Sequence, residues 1–214
     1  MDGVLVLNLN RKKIMKITTI DLIRHGEPVG GKKYRGQTND PLSEKGWEEM
    51  WAAVGEHHPW QHIATSPLSR CADFAHALAQ KWQIPVSEDR RLMELGFGEW
   101  EGKTPQELME NDPDTLLKFW RDPLHHHPIG AEPLTEFAAR VSAVWHVLVK
   151  EYKGEHVLVV AHAGVIRMIM AYVLGMPMDH IFRIQVSNSG ITRIHIEGEG
   201  KTALPSLEFH NGVL

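Results

Sequence analysis

Residues 16–26 read Lys16-Ile17-Thr18-Thr19-Ile20-Asp21-Leu22-Ile23-Arg24-His25-Gly26. The run to Ile23 is rich in β-branched and apolar residues and passes straight into a charged pair and a glycine, which predicts a buried strand ending at a loop. A second stretch, His156-Val157-Leu158-Val159-Val160-Ala161-His162, also carries an apolar core into a histidine. Near-continuous apolar strands are what a parallel sheet covered on both faces requires, and chemistry gathers at the carboxyl ends of such strands.

Helices are predicted between the strands. Ser43 is a candidate N-cap ahead of Gly46-Trp47-Glu48-Glu49-Met50, and Pro67-Leu68-Ser69-Arg70 opens a helix in which Cys71, Phe74, Ala75, Leu78 and Trp82 recur at helical spacing. Phe137, Val141, Val144, Trp145 and Leu148 mark one face of another. Short strands are predicted at 62–65 and 84–87, and 104–120 reads as a helix broken at Pro113. Residues 183–186 and 191–196 read as a closing hairpin or edge pair joined through Asn188-Ser189-Gly190. The alternation predicts an α/β fold of three layers, a mostly parallel sheet with helices on both faces.

The 214 residues suit one domain, spanning 15–214 with a small cap segment around 100–133. Residues 1–14 read as a dispensable extension, with Met15 as an alternative start; their charges follow the apolar patch, the reverse of a signal peptide. With 43% hydrophobic and 23% charged residues, the composition is that of an ordinary globular protein. The net charge is -4 and the basic residues are scattered, so nucleic acid and membrane are not expected as partners and a small molecule is. The longest apolar stretch, 163–176, is interrupted by Arg167 and Gly175, short of a spanning helix. A single cysteine, Cys71, allows no intrachain disulfide and fits a cytoplasmic location.

Arg24-His25, Arg70, Glu94 and His162 all fall at element ends. Each alone is commonplace. Together, two arginines, two histidines and a carboxylate compose a pocket for a phosphate dianion, because guanidinium forks match phosphate oxygens. The triple histidine 125–127 lacks cysteines or a carboxylate at ligand spacing, so it reads as a solvated turn or substrate-contacting rim; neither a metal nor a cofactor is expected.

Four blocks in order, Leu22-Ile23-Arg24-His25-Gly26-Glu27, Thr65-Ser66-Pro67-Leu68-Ser69-Arg70, the run Glu94 to Gly102, and Val159-Val160-Ala161-His162-Ala163-Gly164, resemble the histidine phosphatase superfamily, which includes the cofactor-dependent phosphoglycerate mutases. The resemblance spans the chain from Lys16 and implies a phosphoglycerate mutase-like fold. It implies that His25 takes the phosphoryl group, that Arg24, Arg70 and His162 hold its equatorial oxygens, and that Glu94 donates the proton. The activity so implied is metal-independent hydrolysis of a small phosphomonoester through a phosphohistidine.

In one respect the chain departs from the family pattern: many members carry an asparagine six residues after the nucleophile, where this sequence has Gly31. Backbone amides of Gly30 and Gly31, or Lys32, Lys33 or Arg35, are the candidate replacements, and Arg35 and Gly36 are taken as substrate contacts. The loop 30–36 and the short cap are similar to the branch containing α-ribazole-5'-phosphate phosphatases of cobalamin synthesis. Two other readings stand beside hydrolysis. A mutase uses the same nucleophile, but 67 residues between Glu94 and His162 leave less room for a closing insertion. A non-catalytic phospho-ligand-binding module could lose any one of His25, Glu94 and His162, whereas all three are present.

Overall fold

The computed structural model describes residues 17–198, 200–212 and 214, so the expected dispensability of 1–14 lies outside the described residues. In chain order the elements are β1 (Thr18–Arg24), α1 (Glu44–Val54), β2 (His62–Thr65), α2 (Ser69–Trp82), β3 (Val86–Glu88), α3 (Pro105–Asn111), α4 (Pro113–Arg121), α5 (Leu134–Glu151), β4 (His156–Ala161), α6 (Ala163–Leu174), β5 (Ile191–Glu197) and β6 (Leu204–Gly212). The strands form one sheet in the order β3-β2-β4-β1-β5-β6. The first four are mutually parallel, β5 is antiparallel to β1, and β6 is antiparallel to β5.

Alternate residues of the central strands serve two cores. Ile20 and Leu22 of β1 with Val157, Val159 and Ala161 of β4 pack under α5 and α6. Ile23, Leu158 and Val160 pack under Met50, Val54, Phe74 and Leu78 of α1 and α2 on the other face. Burial on both faces is why these strands lack polar alternation. Ser43 caps α1 by accepting the Gly46 N–H at 3.0 Å, as its position predicts.

Two parts of the expected topology are corrected. Residues 183–186 are not a strand: Arg183 ends a 3-10 turn (Met178–Arg183), and the carbonyls of the next three residues are taken by side chains, Ile184 O by Arg167, Gln185 O by Asn211, and Val186 O by Arg24. The partner of β5 is instead β6, an edge strand whose second residue is Pro205, a residue that sheets tolerate at their edges.

Asp21 is fully buried in the middle of β1. Its carboxylate accepts from Trp60 Nε1 at 2.8 Å, His156 Nε2 at 2.8 Å and Arg193 Nε at 2.7 Å, which ties β1 to the segment before β2, to β4 and to β5. Burial alone pushes its pKa up, but these donors outweigh it and hold the group below the ordinary carboxylate range. A depressed folded-state pKa contributes stability that is present above the unfolded value, 3.8, and lost as pH falls through the folded one. Asp21→Asn is therefore expected to cost about 2–3 kcal/mol at neutral pH, with a shallower acid limb in denaturant titrations. A variant as stable as wild type would remove this network from the account.

The cap comprises α3 and α4. Thr104 and Glu107 form a capping box at the start of α3, and Asp112 caps α4 with Pro113 in its first turn. An aromatic cluster holds the cap to the body: Phe119 and Trp120 meet Phe182 at 5.0 and 5.1 Å between ring centroids, and Tyr34 meets Trp100 at 5.2 Å. The triple histidine is exposed, with His125 and His126 turned to Asp122. Among the described residues, no group of three or more His, Cys, Asp or Glu side chains is arranged to hold a metal ion, and no helix is long and apolar enough to cross a membrane.

Candidate active site

The register of the central strands brings the two histidines together. Arg24 pairs with Ala161 across parallel β1 and β4, so the next residues, His25 and His162, leave the sheet side by side. The His25 N–H donates to Ala161 O at 3.0 Å, and the two rings meet edge to face at 5.2 Å. Thr65 pairs with Val160 on the other side of β4, which delivers Ser66 to the same end and the first turn of α2, with Arg70, just beyond.

His25 is buried, and its Nδ1 donates to Gly26 O at 2.7 Å. That bond assigns the ring proton to Nδ1 and leaves the Nε2 lone pair free. Burial first, then the charges of Arg24 and Arg70, hold its pKa well below the ordinary histidine value. His162, also fully buried, is depressed in the same way by burial and then by Arg70. Its Nδ1 accepts from Arg70 Nε at 3.3 Å and its Nε2 donates to Ser66 Oγ at 2.8 Å, so the protein engages both ring nitrogens.

Arg70 has no exposed surface. Its Nη1 donates to Thr38 O and its Nη2 to Gly36 O, both at 2.7 Å. Those carbonyls belong to a loop that Glu101 holds in place by accepting from the N–H groups of Gly36, Gln37 and Thr38, while also accepting from Phe97 N across the cap loop. Arg24 donates through Nη1 to Val186 O at 2.6 Å, and its buried Nε is without a hydrogen-bond partner.

Glu94 Oε2 accepts the N–H of Gly164 in the first turn of α6 at 3.0 Å, and its Oε1 accepts the Leu95 N–H at 3.0 Å. The approach needs a glycine: a Cβ at 164 would stand 2.3 Å from Glu94 Oε1. Because the obstructed atom is the end of a flexible side chain, Gly164→Ala is expected to leave the melting temperature within a few degrees and to displace Glu94. If Glu94 is the proton donor that the resemblance implies, turnover of an alkyl phosphate then falls about 10- to 100-fold, a part of what a positioned acid contributes. An unchanged rate would show that the contact does not matter.

Arg24, His25 and Glu94 line a cleft of about 700 Å³. Tyr34, Phe97, Met109, Leu116, Trp120 and Phe182 form its apolar wall. Arg70 and His162 lie behind this lining. Of the two expected substrate contacts, Arg35 borders the cleft but Gly36 does not. Arg35 is turned back on its own loop, donating to Asp40 at 2.6 Å, Val29 O at 2.8 Å and Gly31 O at 3.0 Å. Gly36 is packed so closely that a Cβ would meet Leu95 O at 2.2 Å. Sequence reasoning passed over Ser66, Glu101 and Arg167. Ser66 and Glu101 fall inside quoted blocks, and that was their only signal.

A model of the histidine phosphatase superfamily (branch 1) matches residues 20–206. The chain is 33% identical over 178 residues to a glucosyl-3-phosphoglycerate phosphatase of Mycolicibacterium vanbaalenii, covering 78% of each chain. It is 28% identical over 179 residues to the adenosylcobalamin/alpha-ribazole phosphatase of Escherichia coli, covering 82% of this chain and 88% of that one. Among solved structures, one described as mycobacterial hydrolase 2 superposes with a TM-score of 0.83 at 25% identity, covering 93% of this chain and 92% of the other. The chain spans about half, 52%, of the length of other curated relatives, mycobacterial proteins 29% identical to it over 192 residues.

Proposed function

Because the chain belongs to the histidine phosphatase superfamily, branch 1, we propose that it is a phosphomonoesterase that hydrolyses a small phosphorylated metabolite through a phosphohistidine on His25. The observation that carries this reading is the state of His25: a buried ring with Nδ1 committed to Gly26 O and its charged form disfavoured by burial, Arg24 and Arg70. Such a ring offers an unprotonated Nε2 at neutral pH.

Arg24, Arg70 and His162 form the phosphate-binding group, with His162 setting the Arg70 fork from behind. His25 Nε2 attacks phosphorus, the bond to the ester oxygen breaks, and Glu94 gives that oxygen its proton. Water then attacks the phosphohistidine, Glu94 takes back a proton, and the P–N bond breaks to release inorganic phosphate. Phosphoryl transfer depends mainly on positioning and charge stabilisation, and guanidinium groups supply both without a metal ion.

Hydrolysis is favoured over mutase chemistry by the open mouth of the cleft, where Met109 and Trp120 are exposed and water has access. The completeness of the set favours catalysis over binding alone. The apolar wall suits a leaving group with a flat or apolar body, and the likeness to the E. coli enzyme supports α-ribazole-5'-phosphate as one such substrate. The single cysteine, buried Cys71, fits a cytoplasmic setting.

Rapid mixing with a labelled phosphomonoester followed by a denaturing alkaline quench tests the reading, since a P–N bond survives alkali and is released by acid. Alkali-stable, acid-labile label on the wild-type protein is the expected result. Turnover without any such label would rule out the covalent route.

A further inference from the structure

Glu101 takes no part in the steps above, yet its half-buried carboxylate is met by donors from two segments of the chain. Oε1 accepts from Gln37 N at 3.1 Å and Phe97 N at 3.0 Å, Oε2 accepts from Thr38 N at 3.2 Å and Thr38 Oγ1 at 2.5 Å, and Gly36 N reaches both oxygens at 3.1 Å. Three successive N–H groups turned on one carboxylate form an anion-binding nest. The approach needs a glycine at 36, where a Cβ would stand 2.4 Å from Glu101 Oε1. Burial pushes the Glu101 pKa up, but Thr38 and the backbone amides outweigh it and hold the group below the ordinary carboxylate range, so it is ionised at neutral pH.

The other side of the same peptide units faces Arg70. In a trans peptide the C=O and the following N–H point in opposite directions, and none of the described peptide bonds is cis. Holding Gly36 N and Gln37 N on Glu101 therefore turns Arg35 O and Gly36 O the opposite way, where Arg70 Nη2 donates to them at 3.4 and 2.7 Å. Arg70 Nη1 donates to Thr38 O at 2.7 Å, and the loop beyond is tied to α2 by Asn39 Oδ1, which accepts from Ser69 N at 2.7 Å. A guanidinium is a rigid planar fork, so fixing these carbonyls fixes the direction of its remaining N–H groups.

From this geometry, and resting on the phosphomonoesterase reading, we propose that Glu101 is a positioning residue for Arg70: it sets the peptide units of residues 35–37 and acts on the phosphate only through that guanidinium.

The test is a double-mutant cycle read on kcat/KM for a phosphomonoester and on inhibition by inorganic phosphate. Glu101→Ala is expected to lower kcat/KM and to raise the phosphate inhibition constant by about tenfold each, because the fork is kept but misaimed. Arg70→Met should lose about 10²- to 10³-fold in kcat/KM, as removal of one preorganised donor group does. Adding Glu101→Ala to Arg70→Met should then cost less than about twofold more, the non-additivity expected of two residues that act as a unit. A merely structural Glu101 would loosen the loop in both backgrounds and give additive losses, which overturns the proposal, as does an unchanged phosphate inhibition constant in Glu101→Ala. If either variant does not fold, Glu101→Gln, which keeps an accepting oxygen, and Arg70→Lys, which keeps the charge without the fork, carry the same cycle. Turnover absent from the wild type would overturn the phosphomonoesterase reading instead, and the cycle run on calorimetric affinity for inorganic phosphate then decides the role of Glu101 by itself.

Discussion

His25→Ala is expected to lose turnover by about 10⁵-fold or more and to carry no covalent phosphate after an alkaline quench. Removing a nucleophile abolishes the route rather than slowing one of its steps, and losses of this order are typical when a covalent catalyst is deleted. The variant should still fold, because the ring makes one hydrogen bond of its own, to Gly26 O, and the apolar residues of β1 are untouched. Arg24 and Arg70 remain, so inorganic phosphate or vanadate should still bind. That separation of binding from turnover distinguishes a lost nucleophile from a collapsed pocket. If the alanine variant still acquires alkali-stable label, the bond to phosphorus is formed elsewhere and the assignment of His25 is wrong.

Glu94→Gln should fail in a different way. Its defect is expected to be about 10²- to 10⁴-fold on alkyl phosphates and much smaller on p-nitrophenyl phosphate, whose oxyanion departs without help. The amide introduces a second effect that the geometry makes explicit. Glu94 accepts from both Gly164 N and Leu95 N. A glutamine can accept from one and must set its NH₂ against the other, so some displacement of the side chain is expected on any substrate. The burst phase isolates the acid role, because the first transfer to His25 depends on the leaving group whereas the later attack by water does not. Equal burst rates for the two ester classes in the variant, with a common loss from wild type, would remove Glu94 from leaving-group protonation.

Which parts of this could be read in advance follows from how each residue is buried. The strands β1 and β4 were legible because both faces are covered, so apolar residues run uninterrupted to Arg24 and to His162. β6 was not: it lies at the sheet edge, begins at exposed Leu204 followed by Pro205, and has no run of buried side chains. Residues 183–186 misled for the opposite reason, since Ile184 and Val186 look like strand residues while the carbonyls of the segment are spent on side-chain donors from α6, β1 and β6. At the site, His25, Arg24, Arg70, Glu94 and His162 stand at element ends, where their joint pattern, rather than any one of them, could be read. Glu101 and Ser66 reach the site through neighbours distant in sequence, His162 for Ser66 and residues 36–38 for Glu101, and neither spacing nor residue type announces a carboxylate that orders a loop 63–65 residues upstream. Arg35 shows the converse, a cation in a promising loop that the fold has already spent on Asp40.

The contrast between wholly buried Arg70 and the exposed Lys32 and Lys33 has a consequence for how dissolved salt acts on this protein. Counterions screen a charge only where solvent reaches it, over a Debye length of about 8 Å at physiological ionic strength. On the proposed reading, the lysines at the mouth would draw an anionic ester inward through water, whereas the charge of Arg70 would act on it from within the protein. Raising ionic strength should therefore slow capture, lowering kcat/KM, while kcat for ester already seated stays nearly constant.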